Sequence, residues 1–213
     1  AELEADPNLP IQIGLDFGLT PAAVFGQRHP SGQWRVLHEI VTFDMGLERF
    51  GQQLMAELQL KFPRYDVRIW GDPAGMQRDA IYETTAFEYL RSLGLKAEPT
   101  ATNDFKARRE AASAPMNRMV MGKPGLLVNK SCKLLRKSLS GGYHFKRIAV
   151  GAGQERFKDT PNKNEHSHVG DAFGYLLTGG GEYRQLTRGT NRTNSKTFIA
   201  QTIAANDFDV FAL

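Results

Sequence analysis

A chain of 213 residues and 23.7 kDa, 41% hydrophobic and 23% charged with 21 Gly and 10 Pro, fits one large globular domain with an elaboration and excludes a disordered or collagen-like polymer. No apolar run approaches the ~20 residues of a membrane helix, the start AELEADPNLP is no secretory signal, and a single cysteine, Cys132, rules out a disulfide framework or a cysteine-based zinc site. The net charge of +4 hides an asymmetry: residues 1–90 carry 7 Lys/Arg against 13 Asp/Glu, 91–147 carry 13 against 3, and 148–213 carry 7 against 7, so the middle third is expected to form a polyanion-binding surface.

In Ile11-Gln12-Ile13-Gly14-Leu15-Asp16-Phe17 the apolar residues alternate. This predicts a strand with Ile11, Ile13, Leu15 and Phe17 on the core face and Asp16 on the other. Strands over 22–27 and 33–42, separated by the turn signal His29-Pro30-Ser31-Gly32, complete an antiparallel meander. Leu47, Phe50, Leu54 and Leu58 recur at helical spacing up to Phe62-Pro63. A short strand over 67–70 then runs into Gly71-Asp72-Pro73, and a helix over 79–93 and a strand over 95–98 follow. The order β-β-β-α-β-α-β gives way to an insertion, about 100–158, with helices near 104–121 and 129–139 and a hairpin starting at Tyr143. Met116, Met119 and Met121 read as one face of the first insertion helix with its end, and Cys132 is expected to pack inside the insertion. A helix over 164–178 carries the stripe Val169, Ala172, Phe173, Leu176 and Leu177 and stops at Gly179-Gly180-Gly181. The polar composition from Arg184 predicts a flexible tail over 184–213 behind a domain of residues 1–183.

Three aspartates stand out by position. Asp16 lies on the non-core face of the first strand, Asp72 just past the end of the fourth, and Asp171 in the early turns of the last helix. Alone, each reads as readily as a turn residue or a helix-start charge. If the first and fourth strands are parallel neighbours, however, two of these carboxylates leave the same edge of the sheet, and a helix packed on it brings the third within reach. Clustered carboxylates repel unless a cation sits between them, and hard oxygen ligands select Mg²⁺ or Mn²⁺. Two such ions about 4 Å apart would activate a water and stabilise the leaving oxygen of a phosphodiester. His168, one helical turn before Asp171, shares its face and would orient a ligand from behind. Lys163, in the loop entering that helix, is placed to meet a phosphate. Lys106, Arg108 and Arg109 on one insertion helix, and Lys130, Lys133, Arg136 and Lys137 on the other, are expected to contact backbone phosphates, with pairing to an acid of the core the alternative for Arg108 or Arg109.

This order of elements, with acids on strand one, after strand four and on the closing helix, resembles the ribonuclease H-like fold: a mixed five-stranded sheet, three strands antiparallel and then parallel ones, flanked by helices. More narrowly, Gly14-Leu15-Asp16-Phe17-Gly18 with Pro21, Gly71-Asp72-Pro73-Ala74-Gly75, and His166-Ser167-His168-Val169-Gly170-Asp171-Ala172 with Tyr175 are similar to the nuclease domain of the large terminase subunit of tailed bacteriophages. The resemblance runs in order from about residue 11 to 178. It implies a metal-dependent endonuclease that cleaves double-stranded viral DNA during genome packaging in the host cell cytoplasm. It further implies two Mg²⁺ or Mn²⁺ ions, one shared at Asp16 and completed by Asp72 and Asp171. The implied partners are DNA, an ATPase domain of the same full-length protein, the portal ring and the small terminase subunit, with no membrane partner. No fourth acid can be assigned, since Asp159 and Glu165 fit no clear pattern, and no phosphate-binding Gly-x-x-x-x-Gly-Lys-Ser/Thr loop is found. With no initiator Met and a strand beginning almost at once, the chain reads as a piece of a longer protein. The segment Ile13–Thr20 also resembles the first phosphate-binding segment of actin-like sugar kinases and chaperone ATPases, but 213 residues hold only one of the two domains those proteins need. A non-enzymatic DNA-binding module explains the basic stretch and leaves the three acids unused.

Overall fold

The computed structural model describes residues 2–18, 20–77, 84–148 and 156–190. In chain order these form β1 (Ile11–Asp16), β2 (Ala22–Arg28), β3 (Trp34–Val41), α1 (Leu47–Lys61), β4 (Val67–Gly71), α2 (Ala86–Ser92) and β5 (Ala97–Pro99). The insertion contributes α3 (Phe105–Met116), β6 (Met119–Val120), β7 (Lys123–Pro124), β8 (Leu126–Val128), α4 (Lys133–Lys137), β9 (Phe145–Ile148) and β10 (Arg156–Pro161), and α5 (Ser167–Gly179) and α6 (Glu182–Thr190) close the described chain.

The central sheet has the order β5-β4-β1-β2-β3-β8. β1, β2 and β3 are antiparallel neighbours, whereas β4 runs parallel to β1, β5 to β4 and β8 to β3. Six strands stand where the sequence pattern predicts five. The sixth, β8, comes from the insertion and covers the outer edge of β3, which would otherwise present unpaired backbone groups. At three residues with no alternation, β8 carries no strand signature of its own.

Every residue of β1 is buried, because helices cover both faces of the sheet. Ile11, Ile13 and Leu15 join Phe25, Ile40, Phe50, Leu54, Leu58, Phe87 and Leu90 in a core under α1 and α2. On the opposite face Ala22, Val24, Trp34 and Val36 pack against Val169, Ala172, Phe173, Leu176 and Leu177 of α5, with Cys132 and Leu135 from the insertion. Cys132 is fully buried as expected, and burial pushes its thiol up to about 12. A Cβ at Gly14 would stand 2.0 Å from the carbonyl oxygen of Ala172, so α5 rests its backbone directly on β1.

Several boundaries move, each for a local reason. α2 begins at Ala86 because Thr85 and Glu88 form a reciprocal capping box; residues 79–83, expected in the same helix, lie outside the described ones. α3 stops at Asn117, so Met119 falls in β6 and Met121 in a turn at φ 49° rather than on a helix face with Met116. The second insertion helix shortens to α4 and opens into a wider turn over Ser138–Gly142. α6 crosses the expected start of the tail at 184, and the rest of that tail, 191–213, lies outside the described residues.

α6 is pinned at its first residue. Glu182, 1% exposed, accepts from Trp34 Nε1 at 2.8 Å, from Arg118 Nη1 and Nη2 at 2.8 Å each, and from Arg28 Nε at 3.3 Å. Burial alone would raise its pKa, but these donors outweigh it and hold the carboxyl below its ordinary range. Glu182→Gln strands two arginines and is expected to cost about 3 kcal/mol by urea titration at pH 7. A carboxyl with a lowered folded-state pKa stabilises above its unfolded value and loses that contribution as it protonates. The gap between parent and variant should therefore narrow as pH falls below 4.5.

Candidate active site

Strand register brings the first two acids together. Leu15 pairs with Gly71 across parallel β1 and β4, so Asp16 and Asp72 leave adjacent strands, about 4.8 Å apart, at the same edge. There the chain bends, and the Asp72 side chain caps the turn Pro73–Met76 by accepting from Ala74 N at 2.9 Å. The third acid arrives on α5, whose positions 168, 171 and 175 form one face. His168 Nδ1 lies 2.9 Å from Asp16 Oδ2. Asp171, 2% exposed, is close enough to raise the pKa of Asp16.

Asp171 is well supplied with donors. Arg108 Nη1 donates to Oδ1 at 2.8 Å and Tyr143 OH to the same oxygen at 3.1 Å, while Lys163 Nζ holds Oδ2. Arg108, 8% exposed, lies 4.5 Å from the centre of the Tyr175 ring. Tyr175 OH donates to Asn103 Oδ1 at 2.9 Å and also feels Asp72, whose charge adds to burial in raising the phenol pKa. A chain of interactions thus joins all three aspartates: Asp16 to Asp171 by charge, Asp171 to Arg108, Arg108 to Tyr175, and Tyr175 to Asp72.

The expected site residues are sorted by this geometry. Asp16, Asp171, His168 and Lys163 come together, and Asp72 stands at the same sheet edge, linked to them through Tyr175. Arg108 also turns inward, as a partner of Asp171 instead of a surface phosphate ligand, because Arg108, Ala111 and Pro115 are the buried stripe of α3. Lys106 and Arg109 point outward, with Arg109 paired to Glu110 at 2.8 Å. Lys133 and Lys137 are exposed on α4. Glu165 pairs with His166 at 3.3 Å and not with the acids, and the Asp159 side chain lies outside the described ones. Sequence reasoning missed Asn103 and the anchoring roles of Tyr143 and Tyr175. Tyr175 was findable, one helical turn after Asp171 on the same face, whereas Asn103 carries no signal.

The donor set suits a hard divalent cation in its chemistry, as carboxylate oxygens backed by a histidine. In its arrangement it is built around nitrogen cations: among the described residues no three His, Cys, Asp or Glu side chains close on a single point, and Lys163 fills one oxygen of Asp171. The charge balance at Asp16 favours a further cation. Desolvation raises its pKa most, the His168 hydrogen bond lowers it, Asp171 raises it, and Lys163 lowers it, with a net upward shift.

No protein-family model and no curated protein matches the sequence. Solved structures do match. The large terminase of thermophilic bacteriophage D6E superposes with a TM-score of 0.59 at 18% identity over 83% of this chain. The nuclease domain of the P22 large terminase gives 0.57 at 11% over 82% of this chain and 84% of its own. The SPP1 large terminase nuclease domain, solved with bound Mn, gives 0.52 at 13% over 79% and 85%. The fold is that of a large terminase nuclease domain. The chain spans 41% of the length of the D6E protein and 84–85% of the isolated P22 and SPP1 nuclease domains.

The raised pKa of Asp16 has a thermodynamic sign. The folded state binds that proton more tightly than the unfolded chain, so stability is lost as pH rises from the unfolded value of 3.8 through the folded one. In EDTA, Asp16→Asn should melt higher than the parent at pH 7. That difference should shrink toward zero as the pH is lowered to 3.8.

Proposed function

We propose that the chain is a metal-dependent endonuclease that cleaves double-stranded viral DNA during genome packaging. The observation that carries this reading is the placement of Asp16, Asp72 and Asp171, from three separate elements, at one edge of the sheet of a terminase-type nuclease fold. Asp16 would be shared between two Mg²⁺ or Mn²⁺ ions, with Asp72 and Asp171 each completing one site. Bound there, the ions would supply a water nucleophile at neutral pH and charge stabilisation of the leaving oxygen.

The protein's own residues orient and neutralise. His168 fixes the Asp16 carboxylate through Oδ2 and leaves Oδ1 for a ligand. Arg108 and Tyr143 hold Oδ1 of Asp171, which turns Oδ2 toward Lys163 and the side of Asp16. Lys106, Arg109, Lys133 and Lys137 would bind backbone phosphates. The ATPase domain of the same full-length protein, the portal ring, the small terminase subunit and the host cytoplasm complete the proposed setting. No described helix is long and apolar enough to cross a membrane.

Supercoiled plasmid should be nicked in Mn²⁺ and left intact in EDTA. Asp16→Asn, Asp72→Asn and Asp171→Asn should each abolish nicking in a folded protein, with double variants no worse than singles because the three act as one unit. A folded Asp16→Asn that still cuts in Mn²⁺ would sink the assignment. The actin-like and non-enzymatic readings both predict no nicking at all.

The two faces of α3 should separate by assay. Lys106→Ala with Arg109→Ala should weaken binding to all duplexes alike and lower the slope of log affinity against log salt by about 0.9 for each phosphate no longer neutralised. Arg108→Ala should instead lower the melting temperature, because it leaves Asp171 short of a buried partner. The parental salt slope in the double variant would move the DNA path elsewhere.

A further inference from the structure

Beside Asp171 is a cavity of about 200 Å³ whose walls include Phe105, Met116, Leu139, Tyr143 and Phe145. The aromatic rings meet edge to face: Phe105 lies 6.3 Å from Tyr143 at 78° and 5.8 Å from Phe145 at 82°. All three rings are half-buried, and the Arg108 guanidinium stands 5.8 Å from the Phe105 ring centre. Asp171 itself is part of the cavity wall, and Tyr143 and Arg108, which also line it, both donate to that acid.

The hairpin formed by β9 and β10 extends this surface. Phe157 is paired with Arg147, and Pro161 with Phe145. Residues opposed across an antiparallel pair share a face, as do alternate residues of one strand. Phe145, Arg147 and Phe157 therefore lie on one face of the hairpin, which runs from the cavity outward. Phe157 is 54% exposed, so its ring is open to a partner. Arg147 is the basic residue on this face, with Lys146 and Arg156 on the other face of the same two strands.

We infer that this track binds unstacked nucleobases, and that the cavity between Phe105, Tyr143 and Phe145 seats one base next to the scissile phosphate. The inference rests on the nuclease reading and extends it to a strand locally separated at the cut. Flat aromatic faces with basic side chains among them, here Arg108 and Arg147, are the chemistry that holds single strands without regard to sequence. The volume falls below the ~300–1,000 Å³ of sites that enclose a drug-sized molecule, which leaves room for one planar ring system. A base reaches such a site only by leaving the duplex stack.

The test measures binding by fluorescence anisotropy in EDTA, where no cutting occurs, using the whole chain. The probes are a short oligothymidine, the abasic strand of equal length and charge, and a blunt duplex. The parent protein should bind oligothymidine about 5- to 150-fold more tightly than the abasic strand. Phe157→Ala and Phe145→Ala should each lose most of that preference at an unchanged salt slope, lose less than about twofold on the duplex, and be rescued by Trp at the same position. Equal binding of the parent to thymidine and abasic strands overturns the inference. So does a preference that survives in both variants. Should Phe145→Ala fail to fold, the exposed Phe157→Ala and the abasic comparison still decide. A base preference in a protein that never nicks plasmid would support the track and count against the nuclease reading alone.

Discussion

Helix α5 touches β1 with no side chain between them at Gly14, and the geometry of the site descends from that close approach. With a Cβ there only 2.0 Å from the Ala172 carbonyl, no other residue lets the helix come down so far. Because the helix is seated at Ala172, the residues just before it in sequence and on the same surface, His168 and Asp171, reach the end of β1 where Asp16 emerges. The same seating forces Val169, Phe173 and Leu176 into the core with Val24 and Trp34. Packing and chemistry thus share one helix, and the register of the first fixes the position of the second. A second close approach repeats the device: a Cβ at Gly170 would meet the Tyr143 ring at 2.6 Å, so its absence lets the insertion lie against α5 and deliver the Tyr143 hydroxyl to Asp171.

Placing carboxylates in this interior is costly, and the structure shows what offsets the cost. A buried charge survives only when it is paired and hydrogen-bonded. Asp171 obtains this from the insertion and its return loop, through Arg108, Tyr143 and Lys163. Among the described residues Asp16 has a side-chain hydrogen bond only from His168, so burial and the neighbouring Asp171 leave its pKa raised. The insertion is therefore part of the acid cluster as well as a cover over it. A domain stripped of residues 100–158 would keep the strand ends that carry Asp16 and Asp72 and lose two of the three donors to Asp171, Arg108 and Tyr143.

Much of this was legible in the sequence. Alternation in Ile11–Phe17 placed Asp16 opposite the main core, and the Gly71-Asp72-Pro73 bend placed Asp72 at a strand end, where the β1–β4 register puts it. Helical spacing put His168 and Asp171 on one face. What was not legible depends on direction and distance across the chain. The run Lys106–Arg109 has the composition of a solvated basic face, and only the buried stripe Arg108, Ala111, Pro115 reveals that one of its cations points inward. β8 is too short to show a period, and it exists because the edge of β3 needs a partner. Asn103 precedes any element and acquires its role solely from the Tyr175 hydroxyl across the fold.

The inward turn of Arg108 also changes how a polyanion meets the site. Three bare carboxylates at one sheet edge would repel a phosphodiester until metal neutralised them. Here Arg108 and Lys163 lie among the three, so the approaching phosphate faces a charge of about −1 spread over a partly buried cluster. At a Debye length near 8 Å in physiological salt, that remnant of negative charge is felt only close in, while the exposed lysines and arginines of α3 and α4 act first. Lys163 differs from Arg108 in one respect that matters. Its side chain is 65% exposed and that of Arg108 10%, so the ammonium can leave Asp171 for solvent or a phosphate at little cost, whereas the guanidinium is held by Asp171 and the Tyr175 ring. Of the two cations that quiet the acids, one is therefore a fixed part of the site and the other is exchangeable for a cation or exchanged toward an anion, and it is Oδ2 of Asp171, the oxygen Lys163 covers, that becomes available when it moves.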